Sequence, residues 1–295
     1  MRLATFGDDR IGVVHGDAVR DVSTLVDERG SGISRMRRLI EAWPALGSTA
    51  VSDAADRSSP ARLADVELQP PVPDPTKIIA APVNYADHQS EMNVDAHVSA
   101  LGFFLKAPSS LLRPGGTIQL PYDDRRFDQE GELACIIGRR ARSVSPAEAL
   151  DHVFGYTGLM DITMRGGEDR STRKSFQTFT PLGPWIVTAD VFGAPGEVDL
   201  ECWVSGEQRQ KANTRDLIWD VAQLVSYASS VTTLHPGDVI ATGTPAGVGP
   251  LAAGDTVVLN LSGLGGRLEV DVRADAAGPS PTTGKDRGPV PPPAR

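Results

Sequence analysis

Two glutamates, Glu130 and Glu132, stand two residues apart in a segment with the pattern of a β-strand, Phe127–Gly138 (FDQEGELACIIG). The second half of this segment is apolar and ends at Gly138, which is typical of a buried strand. Side chains alternate between the two faces of a strand, so both carboxylates point the same way. Like charges beside an apolar run repel each other and lose hydration, and a hard divalent cation such as Mg²⁺, Mn²⁺ or Ca²⁺ removes that cost. The spacing alone fits a half-exposed strand with a solvated polar face as well, so both interpretations stay open.

A histidine and a glutamate in the segment Asn84–Met92 (NYADHQSEM) form a second group capable of chemistry. The segment is predicted to be a short helix or a helical lid. Residues three apart share a face of a helix, so His88 and Glu91 can meet. A histidine taken alone is more often a surface residue, and the pair by itself leaves that alternative open.

A polar stretch follows the predicted strand Val153–Met160, which ends at Asp161. Residues 162–180 are predicted to form a loop over the site, and this loop contains Arg165 and Lys174. Taken alone, Lys174 fits a solvated charge. Arg165 fits either a salt bridge within the loop or a clamp on a substrate carboxylate.

The elements that must position these residues belong to a chain rich in short strands. Residues 1–70 are predicted to form a small N-terminal α/β module, with short strands followed by a helix near Ser34–Ala45. The small, polar residues 47–63 predict a loose connection. Residues 71–273 are predicted to form a mixed sheet rolled into a barrel-like body, so the fold class is mixed α+β and β-rich. The Pro-rich residues 274–295 cannot bury a core and predict a disordered tail.

Composition narrows the partners and the compartment. The net charge of −9 over 295 residues argues against nucleic acid as a partner. Apolar runs are too short for a membrane span, and the N-terminus lacks the hydrophobic region of an export signal, so we expect no membrane partner. Cys135 and Cys202 each lie in a strand-like apolar context and are predicted to be buried thiols, which fits a cytoplasmic protein.

From residue 77 to residue 272 the chain resembles the fumarylacetoacetate hydrolase (FAH) family, which includes acylpyruvases and 2-hydroxyhepta-2,4-diene-1,7-dioate isomerases. The resemblance is carried by long motifs in a matching order. They are VNYADHQSEM, FFLK, the Glu-x-Glu strand with LACIIG, GYTGLMDITMR, KSFQTFTPLGPW, SGEQRQKANT and LHPGDVIATGTPAGVG. The leading module resembles the small N-terminal domain of many members. The resemblance implies the FAH-type fold and a homodimer that forms through the large domain.

The resemblance also implies a metal site made of Glu130, Glu132 and Asp161. The interval of 29 residues from Glu132 to Asp161 is similar to the spacing in the family. Three carboxylates around Mg²⁺ (or Mn²⁺ or Ca²⁺) leave positions for water and for substrate oxygens. Such a site suits a small anionic keto acid that offers two oxygens.

Catalytic roles follow from the chemistry that the family shares, in which an enolate forms beside a metal-polarised carbonyl. Lys174 is predicted to stabilise that charge as an ammonium. His88, oriented and made more basic by Glu91, is the predicted general base that activates water. Because the segment that carries this pair resembles a mobile lid, the base is expected to arrive after the substrate binds.

Three further residues are predicted to bind substrate by the same resemblance. Arg165 is the candidate carboxylate clamp, and Gln210 is a candidate hydrogen-bond donor that also fits a hairpin cap. Thr244, in a TGTP turn, either holds the turn or receives a carboxylate with the backbone N–H groups of the turn.

The leading functional hypothesis is a metal-dependent C–C bond hydrolase of acylpyruvate or fumarylpyruvate type. A decarboxylase or isomerase of a related β-keto or 2-hydroxymuconate-type acid is the alternative, and a catalytically silent metal-binding protein is a third. The third is motivated by departures from the family pattern: Pro82 replaces glycine-rich sequence, Gly166 replaces an acidic residue, and Gln177 replaces an aspartate.

Overall fold

The computed structural model describes residues 1–26, 32–275 and 278–284 of the chain. The chain begins with an antiparallel meander and one long helix. Their elements are β1 (Arg2–Phe6), β2 (Arg10–His15), β3 (Ala18–Asp21), α1 (Arg35–Arg57) and β4 (Pro60–Arg62).

The larger part of the chain alternates short strands with short helices. The first group comprises β5 (Ile78–Ala80), α2 (Ala86–Glu91), α3 (Val98–Leu101), β6 (Phe104–Lys106), β7 (Leu111–Leu112), β8 (Thr117–Leu120), β9 (Phe127–Gln129), β10 (Gly131–Ile137), α4 (Pro146–Ala149) and β11 (Val153–Met160). The second group comprises β12 (Thr163–Met164), α5 (Arg170–Arg173), β13 (Thr180–Thr188), α6 (Ala189–Phe192), β14 (Asp199–Val204), β15 (Glu207–Asn213), α7 (Val221–Val231), β16 (Val239–Ala241), β17 (Gly249–Pro250), β18 (Thr256–Leu261) and β19 (Arg267–Ala274).

These strands form three sheets. An 11-stranded sheet has the order β4-β3-β2-β1-β13-β11-β10-β16-β5-β6, with β7 beside β13. A five-stranded sheet has the order β15-β14-β18-β19-β8, and a three-stranded sheet has the order β12-β9-β17. Most pairs are antiparallel, but β16 with β5, β13 with β7 and β19 with β8 are parallel. The predicted strand-rich, mixed class of fold is therefore confirmed.

The 11-stranded sheet runs without interruption from the N-terminal part of the chain into the larger part. Strand β1 pairs with β13, placing Arg2 opposite Val187 and Leu3 opposite Ile186. Leu3 lies in the same apolar cluster as Ile78 and Ile186. The predicted domain boundary near residue 70 stays a prediction. Strands from both sides of this boundary belong to the same sheet.

Helix α1 corrects the expectation of a loose connection over residues 47–63. The helix continues to Arg57 beyond a kink at Gly47, whose φ is +66°. Val51, Ala54 and Ala55 are buried in the apolar cluster that contains the first strands. Small residues at helical spacing pack closely against a sheet, and this tertiary contact stabilises a helix that composition alone does not indicate.

The predicted strand Phe127–Gly138 is divided at Glu130. Strand β9 pairs with β12 and β17, whereas β10 pairs with β11 and β16 in the large sheet. Both strands are buried along their whole length. The interpretation as a half-exposed strand with a solvated polar face was therefore wrong.

The segment after β19 contacts the body of the protein where the structure describes it. Arg125 donates to the hydroxyls of Ser280 and Thr282 at 3.1 and 3.0 Å. The N–H of Gly167 donates to the carbonyl of Gly284 at 2.9 Å. Residues 276–277 and 285–295, the remainder of the predicted disordered tail, lie outside the described residues. Within the described ranges no helix is long and apolar enough to cross a bilayer.

Candidate active site

The register of β10 and β11 brings three carboxylates together. Gly131 lies opposite Met160 in this antiparallel pair, and the N–H of Asp161 donates to the carbonyl of Glu130 at 2.8 Å. One carboxylate oxygen from each of Glu130, Glu132 and Asp161 lies within 4.8 Å of the others. All three residues are at most 5% exposed. The three predicted metal ligands thus form one compact group.

Two lysines contact this group. Lys174, at the end of α5, donates to Glu130 at 2.7 Å and to Asp161 at 2.5 Å. Lys106, in β6, donates to Asp161 at 2.5 Å and to the carbonyl of Lys174 at 2.5 Å. Lys174 therefore bridges two of the three carboxylates, and Lys106 fixes the backbone of Lys174 in place.

Burial and neighbouring charge act in opposite directions on the two glutamates. Burial, followed by the nearby Asp161 carboxylate, raises the pKa of Glu132 well above its usual range. Burial also tends to raise the pKa of Glu130, but Lys174 and Arg165 outweigh it and hold that pKa below its usual range. A hard divalent cation fits this buried, all-oxygen set of ligands, because it would favour the ionised form of the Glu132 carboxylate that burial and Asp161 disfavour.

A tight turn after β16 supports Glu132 from the far side. The N–H of Gly243 donates to the Glu132 carboxylate at 2.7 Å. Gly243 has a φ of +96°, and a Cβ atom there would lie only 2.8 Å from Asn84 Cβ. The glycine is therefore needed for the TGTP turn to approach both the glutamate and the segment that begins α2.

The predicted histidine–glutamate pair is formed on α2. His88 Nδ1 lies 2.9 Å from Glu91 Oε2, and the N–H of Gly247 donates to Glu91 Oε1 at 2.8 Å. The contact with a carboxylate favours the tautomer with the proton on Nδ1, which leaves Nε2 as an acceptor. His88 is 5% exposed and lines the same pocket as the carboxylates.

The pocket is lined by both charged and apolar side chains. The predicted site residues among its lining are Glu130, Glu132, Asp161, His88, Lys174, Arg165 and Thr244. Arg165 donates to Asp128 at 2.5 Å and to Glu130 at 2.9 Å. Part of its guanidinium is therefore engaged by the protein itself.

Gln210 lies behind the pocket wall rather than in it. Its carboxamide accepts the N–H of Gly131 at 2.8 Å and donates to Thr244 Oγ1 at 2.7 Å and to the carbonyl of Pro245 at 2.9 Å. These contacts connect β10 to the TGTP turn. Direct binding of substrate by Gln210 stays a prediction, and the structure shows a bracing contact to Thr244.

The structure shows the surroundings of two positions that depart from the family pattern, Gly166 and Gln177. Arg125 donates to the carbonyl of Arg165 at 2.9 Å and to Glu168 at 2.9 and 2.8 Å. A Cβ atom at Gly166 would collide with the Arg125 guanidinium and the Glu168 carboxylate, so glycine permits this contact. Gln177 is exposed and lies outside the pocket lining.

Some residues of the site were missed by sequence reasoning. Asp128 is fully buried and holds Arg165, and Arg170 and Arg173 line the pocket beside Lys174. The cation-rich run RSTRK was the available signal for the two arginines. No local sequence pattern predicts that Arg125 binds the segment near residue 280, which is distant in the sequence.

A pocket that joins buried oxygen ligands, a bridging lysine and a proton-accepting histidine is typical of enzymes that hold a divalent cation and act on small oxoacids. The chain belongs to the fumarylacetoacetate hydrolase family. The model of the family described as "Fumarylacetoacetate (FAA) hydrolase C-terminal" matches residues 77–273. The resemblance seen in the sequence motifs is thereby confirmed.

Characterised relatives include hydrolases and isomerases. The chain is 43% identical over 282 residues to the maleylpyruvate hydrolase of Aquipseudomonas alcaligenes, covering 90% of this chain and 97% of that protein. The crystal structure of maleylpyruvate hydrolase from Sphingobium sp. SYK-6 with manganese(II) and pyruvate is 42% identical, with a TM-score of 0.84 and coverage of 93% and 99%. The 2-hydroxyhepta-2,4-diene-1,7-dioate isomerase of Mycobacterium marinum is 30% identical, with a TM-score of 0.73 and coverage of 93% and 100%.

Proposed function

We propose that the protein is a divalent-metal-dependent hydrolase that cleaves the C–C bond of a 1,3-diketo acid of the acylpyruvate or fumarylpyruvate type. One observation carries this proposal: the carboxylate cluster, Lys174 and His88 line a single pocket, and Glu91 contacts His88 from behind it. An acylpyruvate presents an α-keto carboxylate for the cation and a second keto carbon for attack by water. The likeness to maleylpyruvate hydrolases supports the same reaction.

Glu130, Glu132 and Asp161 would hold the cation. Mg²⁺ and Mn²⁺ both prefer carboxylate ligands, and we propose Mg²⁺ as the ion used in the cell. When bound, the cation supplies Lewis-acid polarisation of the keto oxygens of the substrate.

His88 would act as the general base toward water. Its Nδ1 is engaged by Glu91, so Nε2 accepts the proton while the water oxygen bonds to the distal keto carbon. The contact between Gly247 and Glu91 fixes the orientation of the pair. Glu91 thereby stabilises the imidazolium that forms when the proton is taken up.

Lys174 would stabilise the charge that develops as the C–C bond breaks. The bonding electron pair passes to the pyruvate unit as an enolate, and the Lys174 ammonium lies in the pocket where this charge forms. The proton taken from water returns to the carbon of the enolate. The products are pyruvate and the carboxylic acid derived from the acyl group.

Two of the three predicted substrate-binding residues are proposed to contact substrate directly, and the third acts through one of them. Arg165 and Thr244 line the pocket and can contact the pyruvate carboxylate, whereas Gln210 would act by holding Thr244 in place.

The test is turnover of acetylpyruvate and oxaloacetate by metal-stripped protein to which Mg²⁺ or Mn²⁺ is restored. We expect metal-dependent release of pyruvate from acetylpyruvate, lost in both His88→Ala and Asp161→Ala. If only oxaloacetate reacts and His88→Ala stays active, the decarboxylase takes the place of the hydrolase. Metal binding without turnover of any keto acid would indicate the silent protein.

An isomerase of a 2-hydroxymuconate-type acid is the second candidate. The likeness to the Mycobacterium marinum isomerase favours it. Double-bond migration needs an enolate but no attacking water, so Lys174 would be required and the His88–Glu91 pair would matter less. Loss of pyruvate release together with retained double-bond migration would select this activity.

We further propose that the enzyme works in the cytoplasm as a homodimer formed through the large domain. Leu105, in the edge strand β6, is 45% exposed and offers an apolar contact for a second copy. Light scattering coupled to size-exclusion chromatography measures the mass directly. A single species of monomer mass would overturn this part of the proposal.

A further inference from the structure

Arg173, the last residue of α5, is a buried cation with unused donors. The side chain lines the pocket, and the residue is only 7% exposed. Its Nε and Nη1 atoms are buried and have no hydrogen-bond partner among the described residues. Buried guanidinium donors are normally paired, because leaving them unpaired costs free energy of folding.

The surroundings of Arg173 make this arrangement less favourable still. Burial, followed by the positive charge of Arg165, lowers the pKa of Arg173. Arg170 lies three residues earlier on α5, on the same face of the helix, and also lines the pocket. Two arginines that face one cavity repel each other unless an anion lies between or beside them.

The other cations near the carboxylates are already engaged. Lys174 donates to Glu130 and Asp161, Lys106 donates to Asp161, and Arg165 donates to Asp128 and Glu130. Among the described residues, Arg173 is thus the buried pocket cation whose donors the protein leaves for a ligand.

The charge of the pocket supports a ligand with more than one negative charge. Three carboxylates and four cationic side chains line it, so a bound divalent cation leaves an excess of three positive charges. The pyruvate carboxylate of an acylpyruvate neutralises one of them. Apolar side chains in the same lining, Met92, Val94 and Phe104, suit the hydrocarbon between two carboxylates.

We infer that Arg173, assisted by Arg170, forms a second anion subsite that binds a carboxylate at the acyl end of the substrate. This inference rests on the proposed function and names the substrate class, an acylpyruvate that carries a second carboxylate. Charge-assisted, forked hydrogen bonds from Arg173 would recognise that carboxylate.

The kinetic test compares a dicarboxylate, fumarylpyruvate, with acetylpyruvate, which lacks the second carboxylate. The measured quantity is kcat/KM for fumarylpyruvate divided by kcat/KM for acetylpyruvate. Arg173→Gln should lower this ratio by about 10- to 100-fold, the range for a lost charge-assisted hydrogen bond. Arg173→Lys keeps the charge and should restore part of the ratio. Arg113→Gln is the matched control, because Arg113 is a partly exposed arginine paired with Glu67, and it should leave the ratio unchanged. An unchanged ratio in Arg173→Gln, or an equal fall with both substrates, would overturn the inference.

A binding measurement separates failure of the subsite from failure of the proposed function. Isothermal titration of maleate into the Mn²⁺-loaded protein should show binding that is weakened at least tenfold in Arg173→Gln. If neither acylpyruvate is turned over, the proposed function fails, yet this loss of maleate affinity would still support the subsite. Equal maleate affinity in the two proteins would refute it.

Thermal unfolding distinguishes an arginine that binds a ligand from one that stabilises the fold. Because two donors of Arg173 are buried without partners in the part of the chain that the structure describes, Arg173→Met should unfold at the same temperature as the wild type or higher. A large fall in Tm would instead assign Arg173 to the fold and would overturn the inference.

Discussion

Replacing Asp161 by asparagine should remove the stabilisation that Mn²⁺ gives to the folded protein. The carboxylate oxygens of Glu130, Glu132 and Asp161 lie within 4.8 Å of one another. At an effective dielectric constant of about 20, two unit charges at that separation repel by about 3.5 kcal/mol. Lys106 and Lys174 offset part of this repulsion, and a divalent cation would offset the remainder.

The size of the effect follows from linkage between binding and folding. A cation present at about 100 times its dissociation constant stabilises the native state by about 2.7 kcal/mol. The entropy of unfolding is about 2.1 cal/mol/K per residue, or about 0.6 kcal/mol/K for 295 residues. The wild-type Tm should therefore rise by about 4 °C, and that of Asp161→Asn by less than about 1 °C.

The assay is calorimetric or fluorescence-monitored unfolding of metal-stripped protein with and without Mn²⁺. The measured quantity is the rise in Tm, because Asp161→Asn also loses two lysine contacts and starts from a lower Tm. Asp238→Asn is the matched control: Asp238 is fully buried and lies 2.5 Å from Lys77, but it lies outside the pocket. This variant should also start lower and keep the full rise. An equal rise in Asp161→Asn, or no rise in the wild type, would refute the assignment of the metal site.

Other parts of the site give further expectations. His88→Gln should lower kcat by about 100- to 10,000-fold, the usual contribution of a general base, and Glu91→Gln should lower it less and change its pH profile. Gln210→Ala should cost about 1–3 kcal/mol in denaturant unfolding, since it leaves a buried N–H without its acceptor. Deleting residues 276–295 should reduce stability at neutral pH, because Arg125 loses its hydrogen bonds to Ser280 and Thr282. The pKa of Glu168, lowered to about 2 chiefly by its hydrogen bond to Arg125, gives stability that is present above about pH 4.5 and lost as pH falls toward 2.

Three of these expectations have a defined contrary outcome. Wild-type kcat in His88→Gln would remove the histidine from the mechanism. A Gln210→Ala protein of normal stability but greatly raised KM would mean that Gln210 binds substrate directly. For the pH effect, the stability difference between the wild type and Glu168→Gln should shrink on acidification, and a constant difference would contradict the assigned role of Glu168.

The main chemistry was accessible from the sequence because its signals are local. Glu130 and Glu132 share a face by the two-residue alternation of extended chain, and His88 and Glu91 meet by the three-residue spacing of a helix turn. The structure confirms the meeting of both pairs. The addition of Asp161 depended on the family motif rather than on spacing.

Other features depend on contacts between distant parts of the chain. Residues 47–57 are helical because the sheet covers their small apolar face, and composition alone indicated a loop. Arg125 binds the segment near residue 280 across more than 150 positions, so no local pattern announces it. Gln210 and Thr244 are brought together in the same way.

The sequence by itself determined the strand-rich class, the family and the three carboxylates, because each depends on short-range periodicity or on contiguous motifs. Tertiary structure alone decided which cations those carboxylates engage, and that Arg173 has buried donors with no partner within the described ranges. The reason is physical: the state of a buried charge depends on every group packed around it, and those groups come from strands and loops far apart in the chain.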